Sequence, residues 1–166
     1  MTTSVKATIP SLQFLLRHPS HFVALGFGSG LSPKAPGSIG TIIGLPLFWM
    51  LTFTPEPTHC ITLAVLFLVG IPLCTKTGNA LGVSDHGSIV WDEIVAIMLV
   101  LEFTPASPLW WGIAFVLFRL FDIWKPAPIR HCDARLKGGF GVMFDDLLAA
   151  IYAIISLKVL LCLALN

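Results

Sequence analysis

Long uncharged stretches dominate the chain, and its charged residues lie between them. The stretches run over residues 35–55, 57–75, 94–101, 103–118 and 147–157. An α-helix needs about 20 apolar residues to cross the hydrocarbon core of a bilayer, with about 17 as the lower limit. The pattern predicts membrane-embedded helices over about 39–54, 59–75, 89–104, 108–124 and 146–165. Several are short, so tilted, half-buried or re-entrant segments are also compatible with the pattern.

The composition agrees with a membrane solvent. Of the 166 residues, 55% are hydrophobic and 11% are charged, and the mean hydropathy is +0.86. A soluble domain carries about 25% charged residues, so this chain cannot cover a surface that faces water. We therefore expect one all-α membrane domain over residues 1–166, a polytopic helical bundle with four or five membrane-embedded helices. The net charge of +1 gives no electrostatic reason to expect nucleic-acid binding.

The distribution of basic residues predicts how the helices are oriented. Basic residues, of which Lys6 is the first, precede the first predicted span. Others follow the second span or lie between the fourth and the fifth. The loops at Glu56 and Glu102 contain neither Lys nor Arg. By the positive-inside rule the basic loops are cytoplasmic, with the N-terminus inside. Lys158 falls within the last predicted span and must snorkel or face protein.

The first residues of the chain have two interpretations. Residues 1–21 include a short apolar pattern beside basic residues, at Leu12, Leu15, Leu16 and Arg17. This pattern is typical of an interfacial N-terminal helix, and an ordinary turn that leads into the first span explains it equally well.

Seven of the nine acidic residues lie between positions 85 and 146, in the predicted cytoplasmic loops or the adjoining helix ends. Carboxylates at apolar helix ends are costly unless they are paired or bind a cation. Four separate segments bring such carboxylates to one membrane face, which predicts a cation site there. The seven residues are Asp85, Asp92, Glu93, Asp122, Asp133, Asp145 and Asp146.

Two of these segments place adjacent acids at the start of an apolar helix. Asp92 and Glu93 follow Ser88, a candidate N-cap, and lie about 100° apart on the helix, so both can reach one cavity. Stabilisation of the helix N-terminus is the alternative explanation. Asp145 and Asp146 follow a glycine-rich turn, where Asp145 is a candidate cap of the last helix. Capping explains one carboxylate but not two.

A third segment combines acidic and basic side chains. Arg119, Asp122 and Lys125 follow an i, i+3, i+6 spacing that places them along one helix face. They form either an intrahelical ladder of ion pairs or a site in which Asp122 binds a metal while Arg119 or Lys125 binds an anion. Arg130 follows in a proline-containing basic loop and is a second candidate for binding an anion. The other basic residues of that loop are equally well explained as membrane anchors.

A glycine-rich loop at 26–41 precedes the first strong span. Its backbone N–H groups and polar side chains could bind a phosphate at a helix start, although it lacks the P-loop pattern. Close packing of small residues in a membrane explains the loop nearly as well. His86 is a candidate general acid, or a loop histidine with its hydrogen bonds satisfied. The candidate substrate-binding residues are Ser32, Lys34, Ser38, Thr41, His86 and Arg119.

Four motifs together resemble the phosphatidylglycerophosphatase A family. They are GFGSGLSPKAPGSIGT at 26–41, DHGSIVWDE at 85–93, FRLFDIWKPAPIR at 118–130 and GGFGVMFDD at 138–146. Their order and spacing match the family over roughly residues 22–155. The resemblance implies a mainly helical phosphatase of the bacterial inner membrane that depends on Mg2+. Such an enzyme removes the terminal phosphate of phosphatidylglycerophosphate.

By this resemblance the acids carry the site. The candidate metal ligands, which are also candidate catalytic residues, are Asp92, Glu93, Asp122, Asp145 and Asp146, with Asp85 and Asp133 less secure. We add Lys125 and Arg130 to the catalytic set, because a phosphate monoester dianion must be neutralised. The expected partners are the lipid substrate and the bilayer, with no protein partner evident. We expect a multi-pass protein of the inner membrane whose active site faces the cytoplasm.

Two mechanisms and two functions stay open at this stage. We favour attack by a water at the metal, positioned by a carboxylate, over an aspartyl-phosphate, because the signatures of known covalent phosphatases are absent from the sequence. A small cation transporter is the alternative function. It would place its acids near the membrane midplane, in broken helices, rather than towards one face beside basic residues.

Overall fold

The computed structural model describes residues 9–164, except for the side chain of Asp133. The predictions for Lys6, for the Asp133 side chain and for residues 1–8 of the N-terminal segment lie outside the described residues. Within them the chain is helical and contains no strand, so the all-α prediction is confirmed. The helices are α1 Leu12–Arg17, α2 Pro19–Ala24, α3 Pro36–Leu51, α4 Glu56–Leu81, α5 Trp91–Glu102, α6 Pro108–Trp124, α7 Ile129–Arg135 and α8 Gly138–Ala164, with a 3-10 turn at Gly26–Leu31.

Five of the helices lie where apolar segments were predicted, with corrected ends. The α6 helix matches its predicted range, whereas α4 continues to Leu81 and ends at Gly82, which adopts the left-handed conformation that favours glycine (φ 73°). The α8 helix begins eight residues before its predicted start at 146. The glycine-rich segment therefore belongs to the helix and is not a turn that precedes it.

Two helices, α4 and α8, are long and apolar enough to cross a membrane by length and composition. The α3 helix is apolar but shorter, with 16 residues. These helices agree with membrane association. The total of four or five spans stays a prediction.

The α5 helix lies at the centre of the structure and packs against α3, α4, α6 and α8. Most of its side chains are buried, as expected for a mainly apolar helix that is surrounded by other helices. The α8 helix contacts α4, α5, α6 and α7. The N-terminal ends of α5 and α8 and the C-terminal end of α6 therefore come together, and these ends carry most of the acidic residues.

The N-terminal segment forms two short helices instead of one. Ser11 caps α1 by accepting a hydrogen bond from the Phe14 N–H, and His18 separates α1 from α2. The His18 ring accepts a hydrogen bond from the Ser20 N–H at Nδ1. Desolvation and the nearby Lys76 ammonium lower the pKa of His18. The α2 helix packs against α4, so this segment contacts the bundle directly.

Lys158 lies on α8 near the opposite end of the bundle. Its ammonium nitrogen is 5.9 Å from the centroid of the Phe103 ring, within the range of a cation–π interaction. The side chain is exposed and lies near the loop that follows α5. This placement agrees with a lysine whose charged end extends towards a membrane boundary.

Candidate active site

Three carboxylates from two helices meet in the interior. Asp92 and Glu93 lie in the first turn of α5, and Asp146 lies in the third turn of α8. One oxygen from each of these side chains lies within 4.8 Å of the other two, close enough to share a metal ion. Asp92 is 8% exposed and Asp146 is 3% exposed. The structure therefore brings together three of the five predicted metal ligands in one buried cluster.

Each of the three carboxylates has a buried oxygen without a hydrogen-bond partner among the described residues. These atoms are Asp92 Oδ1, Glu93 Oε2 and Asp146 Oδ2. Burying an unsatisfied carboxylate oxygen is costly, and three acids this close also repel one another. A hard divalent cation would satisfy the oxygens and offset the repulsion, because Mg2+ prefers oxygen ligands. The donor set therefore fits Mg2+.

Asp122, the fourth predicted ligand, lies on α6 and is paired with a cation. Arg119 Nη1 is 2.5 Å from Asp122 Oδ2 and 3.6 Å from Glu93 Oε1. The predicted i, i+3 pair on α6 is thus present, and it also reaches α5. The negative charge of Asp122 also repels that of Asp146 across the site. Arg119 lies among carboxylates, so its predicted contact with substrate stays a prediction.

Asp145, the fifth predicted ligand, is paired with Lys125. The Lys125 ammonium donates to Asp145 Oδ2 over 2.5 Å. Lys125 ends α6 in the left-handed conformation (φ 44°), which turns the chain towards α8. The prediction that Asp145 caps α8 is wrong, because the helix begins at Gly138 and Asp145 lies well inside it.

Close packing of α8 on α4 explains why the helix starts early. The Gly139 N–H donates to Thr75 Oγ1 over 3.0 Å. A Cβ atom at Gly139 would collide with the carbonyl oxygen of Ile71 and would lie 2.5 Å from the Thr75 hydroxyl. Only glycine permits this approach. The contact fixes α8 on α4 and so sets the depth of Asp145 and Asp146.

The glycine-rich loop at 26–41 packs against the loop that precedes α5. A Cβ atom at Gly30 would collide with the carbonyl oxygen of Ser88, and the Val90 N–H donates to Ala24 O over 3.0 Å. The packing explanation of this loop therefore agrees with the structure. The loop holds the start of α5, and with it Asp92 and Glu93, against α3.

The polar residues of that loop have local hydrogen bonds. The buried Thr41 hydroxyl donates to Gly37 O over 2.9 Å, and the Ser32 hydroxyl donates to Lys34 O over 2.9 Å. The Lys34 side chain is exposed, and Ser38 is half-buried on the first turn of α3. Their roles in substrate binding stay predictions.

His86 and Arg130 are two further candidate residues that do not belong to the carboxylate cluster. His86 is buried, and its Nδ1 accepts a hydrogen bond from the Ser88 N–H over 3.2 Å. The expected N-cap at Ser88 is wrong: the cap position of α5 is Val90, and no side chain bonds there. Arg130 is exposed at the start of α7. The catalytic role of Arg130 and the substrate contact of His86 stay predictions.

Gly37 is a site residue that the sequence analysis did not single out. A Cβ atom there would collide with Glu93 Oε1 and approach the Arg119 guanidinium to 3.1 Å. Gly37 therefore leaves room for the ion pair between α5 and α6. The spacing of Gly37, Gly40 and Gly44 on α3 was the available signal, since small residues at helical spacing mark close helix packing in membranes.

Comparisons with known proteins agree with the four motifs. Residues 22–161 match the family model described as phosphatidylglycerophosphatase A. The chain is 41% identical over 137 residues to the phosphatidylglycerophosphatase A of Escherichia coli (strain K12), which covers 82% of this chain and 80% of the relative. It is 48% identical over 148 residues to the protein of that name from Haemophilus influenzae (strain ATCC 51907 / DSM 11121 / KW20 / Rd), covering 88% and 91%.

A third relative carries a different name. It is the putative phosphatidylinositol-3-phosphatase of Bacteroides thetaiotaomicron, 39% identical over 155 residues, which cover 87% of this chain and 96% of the relative. No solved structure matches the chain. All three names describe enzymes that act on a phosphorylated lipid.

Proposed function

Because the chain belongs to the phosphatidylglycerophosphatase A family, we propose that it hydrolyses the terminal phosphate of phosphatidylglycerophosphate and releases phosphatidylglycerol. The observation that carries this proposal is the buried cluster of Asp92, Glu93 and Asp146, with its unsatisfied oxygens. A phosphate ester approaching three bare carboxylates would be repelled. The cluster suits this substrate when a divalent cation lies between the carboxylates and the phosphate.

We propose that Mg2+ is held by Asp92, Glu93 and Asp146, with Asp122 and Asp145 in support. When bound, Mg2+ supplies charge neutralisation for the phosphate and activates water. Asp122 and Asp145 are already paired with Arg119 and Lys125. These two cations hold the outer carboxylates in place and reduce the negative charge around the three inner ones.

The reaction needs a nucleophile, a proton acceptor and positive charge. Water forms the new bond to phosphorus, the bond from phosphorus to the glycerol oxygen breaks, and that oxygen takes a proton as it leaves. A carboxylate of the cluster accepts the proton that the attacking water gives up. Lys125, half-buried at the end of α6, pairs with Asp145, and we propose that its ammonium also binds a phosphate oxygen. Arg130 at the start of α7 offers a further positive charge on the exposed side.

We propose that the site faces the cytoplasm of an inner-membrane protein. On the side of the cluster the basic residues are Lys76 in α4, Lys125 at the end of α6 and Lys137 just before α8, whereas the loops at Glu56 and Glu102 contain no Lys or Arg. The alternation of loops with and without basic residues supports five membrane-embedded helices. Of these α5, with 12 residues, is shorter than a full span and packs against α3, α4, α6 and α8. Cytoplasmic loops carry the excess of Lys and Arg in membrane proteins.

Phosphate release in detergent tests the reaction and its metal together. We expect the purified protein to release phosphate from phosphatidylglycerophosphate with Mg2+. Excess EDTA should lower the rate at least about a hundredfold, because the carboxylates would be left without a compensating charge. Adding Mg2+ beyond the EDTA should restore it. Phosphatidylinositol 3-phosphate serves as a comparison substrate, because one relative is named a putative phosphatidylinositol-3-phosphatase.

The outcomes of this assay separate the hypotheses. Phosphate release that is insensitive to EDTA would refute the metal and keep the phosphatase. Faster hydrolysis of phosphatidylinositol 3-phosphate would refute the choice of substrate. No release from either lipid, with cation uptake in proteoliposomes, would favour the transporter.

Thiol labelling in membrane vesicles tests the orientation. We expect a cysteine at Lys137 to react with an impermeant maleimide only in inside-out vesicles, and a cysteine at Glu56 only in right-side-out ones. Both side chains are exposed, and they lie at opposite ends of the bundle. The background carries serine at the three cysteines that are not buried, namely Cys60, Cys132 and Cys162. The reverse pattern would refute a cytoplasmic site.

A further inference from the structure

An apolar groove of about 390 Å3 runs along α5 between α4 and α8. Its walls are hydrophobic side chains of the three helices, among them Leu63, Phe67 and Leu99. Asp92 lines one end and Glu102 lines the other. The groove therefore begins at the carboxylate cluster and ends near the opposite end of the bundle.

The length of the groove matches one leaflet of a bilayer. Asp92 and Glu102 are ten residues apart on α5, which corresponds to about 15 Å at the helical rise. The hydrocarbon core of a bilayer is about 30 Å thick, so one leaflet contributes about 15 Å. The groove is therefore about as long as the part of an acyl chain that one leaflet accommodates.

The two ends of the groove suit a molecule with one charged end. Its first end opens beside the cluster proposed to hold Mg2+ and phosphate. Between its ends the walls offer no charged side chain and almost no polar surface. At the far end Glu102 is paired with His59, whose Nδ1 is 3.1 Å from Glu102 Oε2. That end is therefore closed to a second charged group.

We propose that this groove binds one acyl chain of the phospholipid substrate while its phosphate lies at the carboxylate cluster. The proposal rests on the proposed phosphatase function and adds a chain-binding site to it. The continuity of groove and cluster through Asp92 carries the argument. An acyl chain in the groove sets the depth and direction of the attached headgroup.

The expected contribution of the groove is orientation and not hydrophobic affinity. An acyl chain is already surrounded by hydrocarbon in a membrane or a micelle, so its transfer into the groove gains little from leaving water. Holding the chain in one place fixes the phosphate relative to the nucleophile. A displacement of about 1 Å in such an arrangement can cost about a hundredfold in rate.

A substitution that fills the groove tests this directly. Ala64 is exposed on α4 and lines the groove, whereas its neighbour Val65 is exposed and does not line it. We expect Ala64→Phe to lower kcat/KM for the two-chain substrate about tenfold, because the ring displaces the acyl chain and hence the phosphate. The deacylated headgroup should be hydrolysed at the wild-type rate. The matched control Val65→Phe should change neither rate.

Alkylation of Cys60 gives a readout that does not need turnover. Cys60 is exposed and lines the groove. With Cys132 and Cys162 replaced by serine, in an Asp122→Asn background that should not turn over and with Mg2+ present, we expect the two-chain lipid to slow the reaction of Cys60 with an apolar maleimide about fivefold. That factor corresponds to lipid at about four times its dissociation constant. The deacylated headgroup should give no protection, and a cysteine at Val65, in a Cys60→Ser background, should not be protected.

The outcomes distinguish failure of the acyl-chain site from failure of the proposed phosphatase function. If Ala64→Phe lowers the rates for both substrates equally, or for neither, the acyl-chain site is wrong. Equal protection of cysteines at 60 and 65 would indicate general packing of detergent or lipid and would also refute it. Protection that depends on protein concentration instead of lipid would assign the groove to a second copy of the chain. If the wild type releases no phosphate, the proposed function fails while the alkylation still reports whether lipid enters the groove.

Discussion

Replacing Asp146 with asparagine is expected to lower kcat about a thousandfold, equivalent to about 4 kcal/mol of transition-state stabilisation. Asp146 is the most deeply buried acid of the cluster, at 3% exposure, and one of its oxygens has no hydrogen-bond partner among the described residues. Asparagine keeps the size of the side chain but removes its negative charge. The ion and the phosphate would then be held by one charge fewer. Phosphate release from purified protein at saturating substrate measures the change.

The same substitution is expected to leave the fold intact. Asp146 faces the charges of Asp122, Asp92 and Asp145, so removing its charge relieves repulsion in the metal-free protein. The metal-free variant should unfold at or above the temperature of the metal-free wild type. Wild-type protein should gain thermal stability from millimolar Mg2+, and the variant should lose most of that gain.

Two comparisons make this prediction specific. Asp92→Asn and Asp122→Asn should also abolish turnover, whereas Glu56→Gln, an exposed acid at the other end of the bundle, should have wild-type activity. Near-normal turnover in all three Asp variants would refute the carboxylate mechanism. Loss of turnover with an unchanged stabilisation by Mg2+ would leave the acids catalytic and remove them as metal ligands.

The apolar pattern predicted the helices well and their ends poorly. Uncharged stretches report where a helix can be buried, and the α6 range matches its prediction for that reason. Helix ends depend on contacts that the pattern does not contain. The start of α8 at Gly138 results from the close approach of Gly139 to α4. A glycine-rich run has the composition of a turn, so the sequence favoured a turn over a packed helix there.

The carboxylate cluster was predictable in membership but not in pairing. Acids at apolar helix ends are costly, and this physical argument selected seven carboxylates. The resemblance to the family then gave the five candidate ligands among them. Which of them approach one another depends on the packing of α5, α6 and α8, to which sequence spacing gives no access. The ion pair of Lys125 with Asp145 joins residues twenty positions apart through the turn after α6. Gly37 was missed because its contribution is the absence of a side chain.

The second large effect is expected from a substitution at Gly139, where α8 packs closely against α4. We expect Gly139→Ala to destabilise the protein by at least about 1–3 kcal/mol, the usual cost of overpacking, because the new Cβ meets the Ile71 carbonyl oxygen. Backbone atoms cannot move aside as a flexible side chain can. The α8 helix must shift away from α4, which displaces Asp145 and Asp146. A shift of about 1 Å would lower turnover about a hundredfold.

Gly112 on α6 is the matched control. A Cβ atom there has no neighbour within 4 Å, so Gly112→Ala should keep full activity and raise stability by about 0.5–1 kcal/mol through its higher helix propensity. Thermal unfolding in detergent and phosphate release measure both variants. Adding Thr75→Ala to Gly139→Ala removes the hydroxyl but keeps the Ile71 carbonyl oxygen, so the double variant should stay defective. Recovery of activity in that double variant would place the clash on the Thr75 side chain and refute the backbone contact as the constraint that positions α8.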